Sequence, residues 1–269
     1  MRGASREAAA AGREALTSAL AVADAASLAD ELFAVASAVD ANPTLRRGLA
    51  DPSRDAAAKQ GIVDRVLAGK VSSAALDVVK ALVGQRWSQD RDLTDTVETL
   101  AVEAVVAGAE RSGEVDRVED ELFRFERAVA GDPELRDVLT NRYGDPAQRA
   151  AVVDRLLQHK ARPETVRLAR QAVLEPRGRK FGRTIEEYLA VAARRREQIT
   201  AVVTAATPLD QADEDRLARA LSGIYGKPVL LQVVVDPFVI GGLRVRVGDE
   251  VIDGTVARKL EGARRHLAG

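Results

Sequence analysis

The chain has 269 residues, enough for one large domain or for two to three small ones. Hydrophobic residues make up 46% and charged residues 30%, a composition typical of a protein with a well-formed core rather than a disordered one. Forty basic and 41 acidic side chains leave a formal net charge of -1, which disfavours nucleic acid as a partner.

The residue types that most often carry chemistry are scarce. Cysteine is absent, which excludes disulfides, thiolate zinc sites and cysteine nucleophiles. The two histidines, His159 and His266, are expected on solvated helix surfaces. No apolar run approaches the roughly 18 residues that a membrane span needs, so any membrane association is expected to come through partners. The alanine-rich start of the chain is interrupted by Glu7, Arg13 and Glu14, and it indicates a helix rather than a secretory signal.

The first three quarters of the chain predict helices. From residue 5 to about residue 198, apolar residues recur at three- and four-residue spacing, as in the stripes within 62–67 and 93–101. Gly69, Gly113 and Gly144 predict helix ends or breaks. Five pairs ending in proline predict helix starts: Asn42-Pro43, Asp51-Pro52, Asp132-Pro133, Asp145-Pro146 and Arg162-Pro163.

This helical region contains an internal duplication at an offset of 90 residues. The segment Glu31-Leu32-Phe33 recurs as Glu121-Leu122-Phe123, and 63–67 (VDRVL) recurs as 153–157 (VDRLL). The pair Asp51-Pro52 is out of step with Asp145-Pro146, which predicts loops of different length before those helices. Two copies are fewer than a long repeat array needs, so the sequence predicts two small bundles in series.

The predicted domains are copy one at residues 1–112, copy two at residues 113–198 and a C-terminal domain at residues 199–269. The segment 94–111 suits either the last helix of copy one or the first helix of copy two, and one long shared helix satisfies both interpretations. The predicted fold class is therefore α+β, predominantly α: two tandem helical bundles followed by a small α+β domain with one mixed sheet.

The pattern changes at Ile199. Residues 199–205 form a strand rich in β-branched residues, and a helix follows that carries Leu217, Leu221 and Ile224 on one face. The cluster of acids from Asp210 to Asp215 suits a helix N-terminus, where carboxylates interact well with the dipole, better than a calcium loop.

The stretch 233–255 (VVVDPFVIGGLRVRVGDEVIDGT) is the most informative. Side chains alternate in strand fashion in 228–236 and 240–247, with Arg244 and Arg246 expected to face water. The pair Gly241-Gly242 indicates a bulge or a close backbone approach, and Gly248-Asp249 suits a two-residue hairpin loop. Asp253 is expected to cap a last helix, whose apolar stripe is Val256, Leu260, Ala263 and Leu267.

The residues of this stretch occur in the same order as in the C-terminal signature of the delta subunit of F-type ATP synthases, the family of the oligomycin-sensitivity-conferring protein. The stretch therefore resembles that signature. The matching positions between residues 236 and 260 are Asp236, Pro237, Ile240, Gly241, Gly242, Arg246, Gly248, Asp249, Asp253, Gly254 and Leu260. Thr255 departs mildly from the serine that the family often has. Both helical copies also resemble the family's N-terminal helical domain, of which most members carry one copy, so the chain resembles an extended form.

The resemblance implies a non-catalytic role in ATP synthesis and proton transport. The subunit is expected to belong to the peripheral stalk, or stator, and to hold the catalytic head against the torque of the rotor. Its helical domain is expected to bind the N-terminal helix of an alpha subunit in a groove between helices. Its C-terminal domain is expected to meet the membrane-anchored b subunit. The resemblance also implies that the subunit is present in one copy per hetero-oligomeric complex and needs no cofactor. It implies a peripheral position on the cytoplasmic face of the cell membrane.

No residue pattern in the sequence indicates an active site. Gly226-Lys227 is followed by Pro228 and lacks the spacing of a P-loop, and no G-x-G-x-x-G occurs. Two basic clusters, at 177–183 and 194–196, are expected to be solvated helix faces, with contact to an acidic partner as the alternative. Two other classes of protein remain open: a helical adaptor unrelated to ATP synthase, and an enzyme that uses the Gly-Gly loop as an anion nest.

Overall fold

The computed structural model describes residues 3–141, 143–197, 199–225, 227–236, 239, 241–247 and 250–253. In these ranges the chain forms twelve α-helices and four β-strands. The helices before the sheet are α1 Gly3–Val22, α2 Ala25–Asp40, α3 Pro43–Ala50, α4 Ala56–Leu67, α5 Ser73–Gly84, α6 Asp90–Arg111, α7 Val115–Gly131, α8 Pro133–Thr140, α9 Pro146–Leu157, α10 Pro163–Leu174 and α11 Phe181–Glu197. The remaining elements are β1 Ile199–Ala205, α12 Gln211–Tyr225, β2 Val229–Val235, β3 Leu243–Val247 and β4 Glu250–Asp253.

The helix positions repeat along the chain. Helices α7, α8, α9 and α10 each begin 90 residues after α2, α3, α4 and α5 respectively. The side-chain contacts repeat as well: the Asp64–Lys80 ion pair between α4 and α5 has its counterpart in the Asp154–Arg170 pair between α9 and α10. The duplication seen in the sequence is therefore also present in the layout of the helices.

Four of the five predicted proline starts are confirmed, because α3, α8, α9 and α10 each begin at a proline. The exception is Asp51-Pro52, where the prediction was wrong. Helix α4 begins four residues later, after Asp55, whose carboxylate accepts a hydrogen bond from the backbone N–H of Ala58 at 2.6 Å. Asp55 is thus the counterpart of Asp145, and the loops before α4 and α9 have the same length.

A second correction concerns His159, which lies in the turn after α9 and not on a helix. Its φ is +60°, in the left-handed region that favours glycine. The position 90 residues earlier is Gly69, with φ +74°. Copy two therefore keeps the turn of copy one but places a residue with a Cβ at its left-handed position.

Residues 1–193 form one compact unit with a single hydrophobic core. Helix α6 lies at the centre of this unit and packs against α1, α2, α3, α5, α7 and α10. From Thr96 to Ala109 it is buried except at Thr99 and Gly108, which are half-buried, because its apolar and small residues face neighbours from both copies. The chain passes from α6 to α7 through Gly113, at φ +70°. The copies are thus joined through α6, and the division near residue 112 stays a prediction about their origin.

Residues 194–269 form the second compact unit. Its sheet has the strand order β2-β1-β3-β4, with β1 parallel to β2 and the other neighbours antiparallel. A right-handed crossover through α12 is the ordinary connection between two such parallel strands. Ala201, Val203, Leu221 and Val245 are buried in a small separate core. The predicted fold class, a predominantly helical α+β protein with one small mixed sheet, is confirmed.

Candidate functional site

The C-terminal motif forms the turn that returns the chain from β2 to β3. The backbone N–H of Asp236 donates to the carbonyl of Ala205 at 2.8 Å, and the N–H of Val239 donates to the carbonyl of Asp236 at 3.1 Å. Gly241 and Gly242 follow with φ of +61° and +79°. Two consecutive left-handed residues favour glycine, because a Cβ is strained there. The pair precedes β3 and is not a bulge within the strand.

The alternation predicted for β3 is confirmed, since Val245 is buried while Arg244 and Arg246 are exposed. Arg246 is in register with Val202 of β1 and with Val251 of β4. Val247 pairs with Glu250, the register of a two-residue hairpin. Asp253 is the last residue of β4.

Several predicted motif positions lie outside the described residues. They are Pro237, Ile240, Gly248, Asp249 and Gly254, together with the predicted terminal helix and its residues Val256, Leu260, Ala263 and Leu267. Their roles in the motif stay predictions.

A shallow cavity of about 550 Å³ lies beside the glycine pair, between the turn and α12. Leu209, Leu217 and Leu243 line it. Its charged residues, Asp213 and Arg216, pair with each other at 2.7 Å. The N–H of Asp213 also donates to the carboxylate of Asp210 at 2.8 Å, so this acidic cluster caps α12 as predicted.

The helical unit contains a buried ionic cluster centred on Glu98 of α6, whose side chain is 3% exposed. Arg177 Nη1 lies 2.7 Å from Glu98 Oε2, and Arg179 Nη2 lies 2.5 Å from Oε1. The Tyr188 hydroxyl donates to Glu98 Oε1 at 3.0 Å. Burial raises the pKa of Tyr188 well above its ordinary value, so the hydroxyl keeps the proton that it donates.

This cluster corrects the interpretation of residues 177–183 as a solvated basic face. The Arg177 side chain is 8% exposed, and it also contacts Asp95 at 2.6 Å and Asp40 at 3.6 Å. Arg179 bridges Glu98 and Glu187, the second at 3.0 Å. Of the four basic residues in 177–183, Lys180 and Arg183 are exposed.

Glu98, the centre of the cluster, is not among the residues predicted from the sequence. Its signal is a carboxylate directly before the stretch 100–109 (LAVEAVVAGA), which is apolar or small on every face except at Glu103. Such a helix is buried, and a buried carboxylate needs a cation. The cations that supply it are 79 and 81 residues away along the chain, beyond the reach of periodicity.

Large exposed apolar side chains of the helical unit are concentrated in copy two. Phe123 is 55% exposed, whereas its copy-one counterpart Phe33 is 6% exposed. The copy-two residues of this kind are Phe123, Val138, Tyr143 and Leu156, and their counterparts 90 residues earlier are Phe33, Gly48, Ser53 and Val66. In copy one, Val22 is the one large apolar residue of the described range that is similarly exposed.

The described ranges contain no group of three or more histidine, aspartate or glutamate residues that could hold a metal ion. None of their helices is long and apolar enough to cross a membrane.

The fold defines a predominantly helical protein in which a duplicated bundle precedes a small mixed-sheet unit. Residues 102–267 match the family described as ATP synthase delta (OSCP) subunit. This range begins within α6, so it contains copy two and the C-terminal motif. The chain belongs to the ATP synthase delta (OSCP) subunit family.

Relatives of similar length support the same family. A protein of Kineococcus radiotolerans named ATP synthase subunit delta is 52% identical over 247 residues, which cover 92% of this chain and 90% of the relative. One of Streptomyces griseus with the same name is 46% identical over 272 residues, 100% of both chains. A chain from the Toxoplasma gondii mitochondrial ATP synthase hexamer, at 16% identity and a TM-score of 0.29, covers 62% of this chain and 95% of its own length, a likeness too low to support an inference.

Proposed function

We propose that this chain is a non-catalytic stator subunit of an F-type ATP synthase. It links the catalytic head to the membrane-anchored b subunit and resists the torque of the rotor during ATP synthesis. The observation that carries the proposal is the family membership, supported by relatives named ATP synthase subunit delta that match along the whole chain. The subunit reaches the membrane through the complex, on its cytoplasmic face, with one copy per complex and no cofactor.

Copy two is the proposed docking site for the N-terminal helix of an alpha subunit. It carries the exposed apolar side chains Phe123, Val138 and Leu156, which an amphipathic helix can cover. The corresponding face of copy one contacts copy two. Asp30, near Phe33 on α2, accepts two hydrogen bonds from Arg167 of α10, at 2.6 and 3.0 Å. Copy one then serves as a brace that buries α6 and fixes copy two.

The C-terminal unit is the proposed contact for the b subunit. Its sheet exposes apolar side chains on β2 and β4, among them Val235 at 46% and Val251 at 50% exposure. β2 and β4 are the two edge strands of the sheet, and the exposed apolar residues at either edge offer a surface that a partner helix can cover.

The test is co-purification and titration with the full chain. The native membrane complex is purified and its subunits are identified. A peptide of the alpha N-terminal helix is then titrated into wild type and into Phe123→Asp, with Val22→Asp as the matched change at an exposed apolar residue of copy one. Loss of peptide binding in Phe123→Asp alone supports docking on copy two. Loss in Val22→Asp alone assigns docking to copy one, and a complex without this chain contradicts the function. Halves divided at residue 112 are unsuitable, because the division separates α6 from α7 and α10.

Gly242→Val tests the role of the C-terminal unit. A β-branched residue at φ +79° is strained by roughly 1–3 kcal/mol, so the turn before β3 is expected to distort. We expect weaker binding to the b subunit, while helical circular dichroism and alpha-peptide binding stay near wild type because the helical unit has its own core. Unchanged b binding would contradict the assignment of this unit to the stalk.

A further inference from the structure

A groove of about 740 Å³ opens in copy two between α7, α8 and the start of α11. Its apolar lining comes from the less buried Ala130 and Pro176 and from four buried residues, Val129, Leu139, Ala172 and Phe181. Phe181 is held by an edge-to-face contact with Phe125, with ring centroids 5.9 Å apart. Five cations and two carboxylates also line the groove: Arg136, Arg149, Arg179, Lys180, Arg183, Glu126 and Glu186.

The same place in copy one is closed and neutralised. There α3 packs against α6, and Arg46 of α3 lies between two carboxylates. Arg46 Nε is 3.0 Å from Asp90 Oδ2, and Nη1 is 3.4 Å from Asp40 Oδ1. The Arg46 guanidinium is the largest cause that lowers the pKa of Asp90, which stays ionised at neutral pH.

Copy two keeps the arginine and loses both acids. Arg136 is the counterpart of Arg46, but Asp40 is replaced by Ala130 and Asp90 by Lys180. Arg136 donates to the carbonyl of Ala130 at 3.4 Å, and the described residues give it no carboxylate. Lys180 immediately precedes α11, where the helix dipole already favours an anion. The closing ion pairs of copy one thus become a cluster of like charges around an open groove.

Arg149 also lines the groove, and it is 6% exposed. One of its Nη atoms donates to the carbonyl of Asn141, while its buried Nε has no hydrogen-bond partner. No described residue forms an ion pair with it. Its counterpart Lys59 is also buried, and desolvation lowers the pKa of that ammonium, which donates to the carbonyl of Gln85 at 2.8 Å. An arginine stays charged, and a buried unpaired guanidinium is costly unless an anion joins it.

We propose that the α8–α11 groove of copy two is a docking site for a carboxylate-bearing amphipathic segment of a partner subunit. Apolar side chains of the segment contact Ala130 and Pro176, the less buried apolar residues of the lining. Its carboxylates meet Arg136, Arg149 and Lys180, replacing the two acids that copy one supplies to itself. The chain's own residues 254–269 do not fit, because they carry four Lys or Arg and a single Glu. The inference rests on the proposed function for the source of the segment.

Lys180→Asp tests this site by restoring the residue type of copy one. The new carboxylate caps α11 and faces Arg136, so the melting temperature of the free chain is expected to rise by about 2–4 °C. The same change removes a docking cation, so affinity for the F-type complex stripped of this subunit is expected to fall about tenfold at low salt. Lys160→Asp, the same charge change at an exposed residue outside the groove, is the control and is expected to change affinity less than twofold.

The outcomes separate the two proposals. If the wild-type chain does not bind the stripped complex, the proposed function fails. If wild type binds and Lys180→Asp binds as tightly as Lys160→Asp, the groove inference fails alone. Lys180→Gln, which removes the charge without adding a carboxylate, repeats the measurement independently of any gain in stability, and unchanged binding there also overturns the inference. Competition by millimolar inorganic phosphate, with no salt-matched effect of chloride, would instead assign the groove to a small anion.

Discussion

Copy one and copy two share the same helix layout but differ in which of their faces are covered within the chain. Copy one covers its phenylalanine on α2, neutralises Arg46 with two acids and closes α3 onto α6. Copy two exposes Phe123 and leaves the groove between α8 and α11 open beside Arg136. A duplicated bundle can therefore keep the same helix layout, while a few side chains determine whether a face is closed within the chain or left open for a partner.

The largest expected effect comes from breaking the cluster that joins the copies. Glu98→Ala leaves Arg177 and Arg179 without their buried carboxylate, and loss of one partner of a buried ion pair typically costs about 3–5 kcal/mol. We expect the free energy of unfolding of the full chain, measured with denaturant, to fall by that order. Glu186→Gln removes an exposed pair with Arg183 and serves as the control, with little change expected. Equal effects of the two variants would mean that the cluster does not hold the copies together.

A smaller loss of unfolding free energy is expected when a residue at the α1–α5 contact is replaced by its copy-two counterpart. A Cβ on Gly12 would lie 2.4 Å from Leu82 Cδ2 and 3.0 Å from Leu100 Cδ1, whereas the position 90 residues later is Val102. Gly12→Val should therefore overpack this contact and cost about 1–3 kcal/mol of unfolding free energy.

The matched control for Gly12→Val is Gly48→Val. It also imports the copy-two residue, here that of Val138, but nothing lies within 4 Å of the added Cβ. Its unfolding free energy is expected to stay within about 0.5 kcal/mol of wild type. A Gly12→Val protein as stable as this control would show that α1 can move away from α5 at little cost.

A still smaller effect is expected at the turn after α9. His159→Gly relieves a left-handed residue of about 1–2 kcal/mol of strain. The greater freedom of glycine in the unfolded chain offsets about 0.4–1 kcal/mol of this gain. A net stabilisation of roughly 0.5 kcal/mol should raise the melting temperature slightly. Gly69→Ala, at the same position of copy one, should shift it in the opposite direction, and shifts of equal sign would contradict the correspondence of the two turns.

The smallest effect depends on pH and involves Glu121. Burial alone would raise the pKa of this carboxylate, but hydrogen bonds from the Thr165 hydroxyl, the Arg162 N–H and the Arg117 side chain outweigh burial and lower it. A folded-state pKa below the unfolded value gives stability that is present above the unfolded pKa and is lost as the pH falls through the folded one. The stability difference between wild type and Glu121→Gln should therefore shrink from about pH 6 towards about pH 3. A difference that grows with acidity would contradict this assignment.

Much of the fold could be predicted because its signals are local. The start of α8 was predicted from Pro133 at N1, and the start of α12 from its acidic cap. The alternation of side chains placed Val245 on the buried face of the sheet. The failure at Asp51-Pro52 has the same local origin. Two candidate caps lie within five residues, and Asp55 is the one whose carboxylate caps α4.

Reading the residues alone was enough for the helix periodicity, the 90-residue repeat and the family signature between residues 236 and 260. Periodicity and the signature depend on side-chain spacing within one segment, and the repeat depends on identities between two segments, so all three can be recognised without knowing which residues meet in space. The packing of the helices determines which charges meet: Glu98 with Arg177 and Arg179, and Arg46 with Asp90. Such pairs join residues that are far apart in the chain, and burial in a packed interior is what makes their charge balance decisive.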